Sequence, residues 1–251
     1  MSKVIINADD FGINEIVTSE IERMIGLGAI SSTTVMANGK CLSEVKRFAQ
    51  LHPEVSFGMH LCLSEFSSLT KSEGLFRAGI TDENGIFRKQ AIFCTKGLDE
   101  PNVQQSIRDE LNAQIDVISS LGFPVSHVDS HHHVHTIYPL RELFADVLLK
   151  RGIKKIRIGA DFRTIRMRAH VKLWIDRNRL NNYYKSRFLT TDYFFTYSEF
   201  VNAGCPFFEN KIIELMCHPG HHGESYKNEI KLVENKVVEQ KNNIIISYHE
   251  L

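Results

Sequence analysis

Val4-Ile-Ile-Asn7-Ala-Asp9-Asp10-Phe-Gly12 is the stretch on which the fold turns. Its branched apolar run suits a strand buried on both faces, as in a parallel sheet, and it empties directly into two adjacent carboxylates. Val17, Ile21, Met24 and Gly28 follow at helical spacing, and the glycines at 26 and 28 can end that helix in a left-handed conformation. Strand then helix is the unit that recurs. Further strands are expected at Ser32–Met36, Val55–Leu63, Val125–Asp129, Lys155–Ile158, Asp192–Thr196, Ile212–Cys217 and Ile244–Ser247. A second clear helix has Val103, Ile107, Leu111, Ile115 and Ile118 on one face and Gly122 at its end.

Such alternation calls for a parallel sheet with right-handed crossovers, doubly wound or closed as a barrel. The polar residues favour the barrel. Asp9, Asp10, His60, the run His127 to His135 and His218 all stand at or just after carboxyl ends of expected strands, where barrel sites are built. The expectation is one α/β domain over residues 1–251, a distorted barrel of about seven strands. Residues 64–101 break the alternation, and Asn84-Gly85 between Ile80 and Phe87 reads as a type I′ hairpin turn, so a rim or lid insertion is expected there.

Thirty Lys and Arg balance thirty Asp and Glu, which argues against a nucleic-acid binder held by a global positive field. One local surplus stands out: residues 163–187 carry basic side chains at 163, 166, 168, 172, 177, 179, 185 and 187 against the single acid Asp176. It reads as a solvated basic face, or as a docking surface for an anionic substrate or headgroup. Five cysteines, without a C-x-x-C pair, suggest neither a disulfide framework nor a structural zinc cluster. Carboxylates within the first ten residues leave no room for an apolar signal core, so a cytoplasmic protein without stable membrane insertion is expected.

The densest chemistry is His127-Val-Asp129-Ser-His131-His132-His133-Val-His135. On an extended chain His127, Asp129, His131, His133 and His135 would share a face, and imidazoles with a carboxylate bind zinc, cobalt, manganese or iron well. About three protein ligands make a catalytic site, so the remaining groups would support the ligands or touch substrate. Asp9 and Asp10 divide naturally into one metal carboxylate and one free base, although a helix cap would also explain them. His60 in Gly58-Met-His60-Leu61 and His218 in His218-Pro-Gly220 are further strand-end imidazoles. Phosphate loops, the serine-hydrolase elbow and H-E-x-x-H are absent from the sequence, which leaves metal-assisted hydrolysis.

NADDFG at residues 7–12, GMHLCLSE at 58–65, HVDSHHHVH at 127–135 with Pro139, ELMCHPG at 214–220 and ISYHEL at 246–251 together resemble the YdjC-like family of carbohydrate deacetylases, which includes chitooligosaccharide deacetylases. The resemblance implies a distorted barrel of deacetylase type with one divalent metal, Mg or Zn, on Asp10, His60 and His127. It also implies Asp9 as catalytic base and His218 in the active site, with Asp129, His131, His133 and Arg157 near the metal or substrate. Two departures are visible: Cys62 stands where asparagine is common, and His221-His222 where an aromatic residue is expected.

The expected activity is metal-dependent removal of an acetyl group from an N-acetylated sugar, giving acetate and a free amino sugar. Asp9 would take the water's proton and His218 would protonate the departing amine. The alternatives are another metal-dependent barrel hydrolase, of amidohydrolase or phosphoesterase type, and a sugar- or metal-binding module without turnover. A homodimer is possible at the family level.

Overall fold

The computed structural model describes residues 2–89, 91–94, 97–160, 171–241 and 243–251. Its strands are β1 (Lys3–Phe11), β2 (Ser32–Val35), β3 (Ser56–Leu61), β4 (Val128–Ser130), β5 (Tyr193–Thr196), β6 (Ile212–Cys217) and β7 (Ile244–Ile245). The helices are α1 (Glu15–Gly26), α2 (Leu42–Leu51), α3 (Glu73–Arg77), α4 (Pro101–Ser119), α5 (Arg141–Lys150), α6 (Val171–Lys185), α7 (Tyr197–Asn202) and α8 (Glu224–Glu234). The strands are parallel, in the order β4-β3-β2-β1-β6-β5, with β7 joined to the first residues of β1. The sheet curls. Two isolated parallel bridges, Val128 to Ile156 and Lys155 to Leu189, carry pairing from β4 back toward the β5 side.

β1 shows why. Val4, Ile6 and Ala8 join the large apolar core, whereas Ile5 packs with Ile246 and Tyr248 in a separate small cluster. Side chains alternate along a strand, so one face of β1 meets the helices and the other meets the inside of the curl. α1 is anchored by Asn14, whose side chain accepts from the Val17 N–H at 3.0 Å, and it buries Val17, Ile21 and Met24 as expected. α4 buries Ile107, Leu111, Ile115 and Ile118, and Gly122 beyond it takes φ 84°.

The inside of the curl is charged above and apolar below. Arg157 is fully buried between Asp9, Asp129 and Glu214, and the Tyr248 hydroxyl donates to Glu214. Beneath this layer lie Ile5, Ile246 and the Tyr248 ring. Tyr248 reaches its place because β7 pairs with β1 and its own backbone N–H donates to Ser56 Oγ at 3.0 Å.

Three local expectations are corrected. Lys155–Ile158 makes single bridges and no regular strand. The Asn84-Gly85 turn is not type I′, because Asn84 keeps a negative φ and only Gly85 is left-handed, at φ 79°. Gly85 N–H donates to Asp82 O, and the Asp82 carboxylate takes the N–H groups of Asn84 and Ile86, so the turn is built around Asp82 with glycine as the bulge. The extended alternation over His127 to His135 stops at Ser130: residues His131–Thr136 form a 3-10 turn in which His132 and His133 have φ 52° and 54°.

Of the basic stretch, Arg163, Arg166 and Arg168 lie outside the described residues. Arg177 donates to Ala160 O, Lys185 to Asp192 O, and Arg187 lies 3.9 Å over the Tyr183 ring. The five cysteines are all free thiols. No helix among the described residues is long and apolar enough to cross a membrane.

Candidate metal centre and its neighbours

Adjacent strand residues normally point to opposite faces, yet Asp9 and Asp10 both act at the mouth of the curl. The register of β1 against β2 shifts between Ala8 and Phe11, and Asp10 sits at φ 71°, a conformation disfavoured for a non-glycine residue. This bulge turns Asp10 toward three imidazoles. His60 Nε2 lies 3.1 Å and His131 Nδ1 2.8 Å from its Oδ1, while His221 Nε2 lies 3.0 Å from Oδ2. Asp10 and His60 are buried, and their surroundings hold the Asp10 carboxyl well below its usual range: burial pushes it up, but hydrogen bonds and charge from His131, His221 and His60 outweigh that.

Asp10, His60 and His131 offer ligand atoms within 4.8 Å of one another, so these three could hold a metal ion. The outer nitrogens support that fit. His60 Nδ1 is 2.6 Å from Asp129 Oδ1, and His131 Nε2 is 3.2 Å from Glu65 Oε2. Metal-binding histidines characteristically place their second nitrogen on a carboxylate, which fixes the tautomer and aims the ring. Thr34 Oγ1 donates to Asp129 Oδ2 at 3.2 Å and so secures the support behind His60.

His127 stands apart from this cluster. It precedes β4, its Nδ1 meets Ser126 Oγ at 2.8 Å, and its ring stacks on Tyr248 with centroids 3.5 Å apart. The close approach of Gly58 keeps it there: a Cβ on residue 58 would fall 2.5 Å from His127 Cε1. Burial and the nearby Arg157 charge push the His127 imidazole well below its usual pKa. The expected trio of Asp10, His60 and His127 is therefore not the one the fold assembles. It is His131 that lies beside Asp10 and His60, because the chain must leave the strand before a side chain can reach Asp10.

Asp9 is also buried, and Arg157 grips both its oxygens at 2.7 Å while Asn7 Nδ2 donates to Oδ1 at 2.8 Å. Burial raises its pKa, but the Arg157 charge and hydrogen bonds win and hold the carboxyl far below the usual range. His218 follows β6, and its backbone N–H donates to Glu229 Oε2 at 3.2 Å. Burial lowers its pKa, but contact with Glu229 and the charges of Asp9 and Asp10 outweigh that, raising it above the usual imidazole value.

The rest of the histidine run divides by depth. His133 lies edge-on to Phe194 and is pushed down to about 3 by burial and Arg157. His135 is a core residue, its Nδ1 on Ser130 Oγ and its Nε2 on Arg157 O. His132 faces the 64–101 insertion: its Nδ1 meets Ser64 Oγ at 2.8 Å, and Phe93 packs edge-on against its ring. Phe66 of the insertion packs near His131. The base of the insertion is pinned by α4, where the Glu110 carboxylate accepts from Leu69 N, Thr70 N and Thr70 Oγ1, and Gln114 pairs with the Cys62 backbone.

Glu65, Glu214, Glu229, Thr34 and His221 join the site without having been singled out by sequence reasoning as members of it. Glu214 has a visible signal, a lone carboxylate in the apolar run Ile212 to Cys217. His221 stands out as a departure from the family pattern; Glu229 lies on α8 with nothing in its neighbourhood to mark it.

Similar proteins fit this arrangement. The chain is 33% identical over 157 residues to a carbohydrate deacetylase of Vibrio cholerae serotype O1, strain O395, a stretch covering 62% of this chain and only 59% of that protein's length. Over a longer alignment, 94% of this chain and 89% of the other, it is 28% identical to a carbohydrate deacetylase of Listeria monocytogenes serotype 4a. Its fold resembles that of a cellobiose-phosphate cleavage protein from Enterococcus faecalis V583, with TM-score 0.75 and 22% identity over 99% of this chain and 98% of that one. A lactam utilization protein from Thermus thermophilus is similar at TM-score 0.52 and 14% identity, over 98% of this chain and 99% of that one. The family model described as YdjC-like protein matches residues 3–244, and the chain belongs to that family.

Proposed function

We propose that the protein is a metal-dependent hydrolase that removes the acetyl group from an N-acetylated sugar, releasing acetate and a free amino sugar. The observation that carries this reading is the convergence of Asp10, His60 and His131 beside the Asp9–Arg157 pair and His218 at one mouth of the sheet. The carbohydrate deacetylases among its relatives support the sugar and the bond.

Asp10, His60 and His131 would hold a divalent ion, which when bound would supply positive charge against the developing oxyanion and make a nearby water more acidic. Two imidazoles with one carboxylate suit Zn, Mn or Co better than Mg, which prefers oxygen donors. The chain's own residues handle the protons. Arg157 holds Asp9 as a carboxylate and keeps both its oxygens in place; Oδ1 also accepts from Asn7, so Oδ2 is the oxygen with a lone pair left to accept the water's proton. A carboxylate held that low is a weak base, so it depends on the acidified water. His218 carries the complementary proton: its Nδ1 lies 3.9 Å from Glu229, and Nε2 would be the atom that meets the amine. Water adds to the carbonyl carbon, its proton passes to Asp9, and the C–N bond breaks as His218 protonates the nitrogen. The residues of the 64–101 insertion that touch the histidine run make it a rim for the sugar.

One observation favours a second reading. Glu65, His131 and His132 also offer ligand atoms within 4.8 Å of one another, and they share His131 with the first group. A two-metal hydrolase of amidohydrolase or phosphoesterase type would use both groups. Metal content separates the two, at one or two ions per chain. The activity itself is tested by acetate release from a panel of N-acetylated sugars, including a chitobiose-type disaccharide, with and without chelator. Chelator-sensitive acetate supports the proposal; chelator-resistant acetate, or no acetate from metal-loaded protein, counts against it.

A further inference from the structure

The turn after β6 carries one imidazole for which the proposed chemistry has no use. His218, Pro219 and Gly220 bend the chain, with Gly220 at φ 80° and so close to α1 that a Cβ there would fall 2.7 Å from Val17 Cα. The bend delivers His221 back over the metal centre. Its ring packs against His218 and against Tyr226 of α8, with centroids 5.4 Å from each.

Resting on the reading of Asp10, His60 and His131 as the metal-binding set, we propose that His221 is a positioning residue for Asp10: its Nε2 holds the outer carboxylate oxygen and commits the inner one to the metal. The division of oxygens is the observation. His60 and His131 both face Oδ1, whereas His221 alone faces Oδ2, at 3.0 Å. His221 Nε2 is buried and makes no aligned hydrogen bond among the described residues, so its 3.0 Å approach to Oδ2 is a close charge contact that a small turn of the ring would convert into a hydrogen bond.

A free carboxylate can bind an ion through one oxygen or both, and it can swing between the two modes. An imidazole nitrogen held 3.0 Å from Oδ2 disfavours the second mode by occupying the space an ion would need to reach that oxygen. It also opposes rotation of a carboxylate whose backbone, at φ 71°, already sits in a disfavoured conformation. Asp129 and Glu65 support His60 and His131 in the same way, so every group of the trio has its outer polar atom occupied.

The test is metal affinity, measured by titrating the metal-free protein with Zn²⁺ against a chromophoric chelator. His221→Phe and His221→Ala should each bind about 10–100-fold more weakly, the usual loss when an outer support of a ligand is removed. Thermal unfolding of the metal-free variants should be unchanged, and His222→Phe, at the exposed neighbouring position, should bind as the parent does. His221→Gln, which returns an N–H at similar reach, should recover most of the affinity and leave the absorption spectrum of the Co²⁺-loaded protein unaltered. Undiminished affinity in His221→Phe would overturn the inference. So would failure of glutamine to rescue together with a changed Co²⁺ spectrum, the signature of direct ligation. Asp10→Ala separates the two layers. If it still binds metal normally, the metal-site reading falls and takes this one with it; if it loses metal while His221→Phe does not, the positioning role alone is wrong.

Discussion

Asp9 and Asp10 are neighbours in sequence and opposites in circumstance: one is locked to a guanidinium, the other ringed by imidazoles. Asp9→Asn should keep its metal and lose about 10²–10⁴ in kcat, the usual range for a general base. Steady-state kinetics beside metal analysis checks this; activity within tenfold of the parent would remove the base assignment. The same assay settles the third ligand. His131→Ala should lose the metal, while His127→Ala should retain it and show its damage in stability, because the ring is sandwiched between Tyr248 and Gly58. From the sequence, the meeting of Asp10 and His60 is legible, since both are polar residues at carboxyl ends of expected strands. Which histidine of the run lies beside them is not. It depends on two left-handed residues, His132 and His133, whose conformation no period-two pattern announces.

At the scale of elements, strands that are apolar on both faces are the most readable. Ile212–Cys217 emerges at its expected bounds because burial on both sides writes an apolar run broken only by Glu214, and Ser32–Val35 emerges close to its own through the β-branched Thr33, Thr34 and Val35. Lys155 to Ile158 reads as a strand from its apolar alternation, yet it makes only single bridges, one to Val128 and one to Leu189. The insertion is visible as a break in rhythm. Its attachment through Glu110 and Gln114 is not, because those side chains lie on a helix whose pattern is otherwise ordinary. The β3–β4 contact makes a sharp element-scale prediction. Gly58→Ala would place a methyl 2.5 Å from His127 Cε1 and 2.8 Å from His127 O, so the two strands must part. Chemical denaturation should show a loss of about 1–3 kcal/mol, the usual cost of overpacking.

For the whole molecule, the buried imidazoles set how stability responds to pH. Burial, the first cause in each case, keeps His127, His132, His133 and His135 below the ordinary value, with His132 near 4 and His133 near 3. As pH falls below about 6.5 the unfolded chain takes up protons that the folded one refuses, so stability drops toward pH 4. His60 and His218 shift the other way: burial opposes their charge but neighbouring carboxylates win, so their contribution is complete below about 6.5 and fades as pH rises. Glu214 and Glu22, both raised by burial, work against the acid slope just above their ordinary value, two groups against four. Metal-free protein should therefore be most stable near pH 6.5, with the steeper decline on the acid side. Urea denaturation at half-unit pH steps checks this, and a monotonic profile would contradict it. The architecture is legible because strand–helix rhythm and the placement of polar residues agree. The charged interior around Arg157 is not, because its members lie on β1, β4, β6 and the 155–157 segment and meet only when the sheet curls.

That curl is stoppered from below by Tyr248, and the stopper leaves the ribosome after every strand it closes over. Until residues 244–248 emerge and β7 can take its place on β1, water has free entry to the cations and anions inside, which bind one another weakly while wet. A chain without this segment would therefore keep an open, hydrated centre. In the closed structure Tyr248 bridges Ser56 of β3 and Glu214 of β6, and the charges around Arg157 act on one another at the strength that exclusion of water gives them.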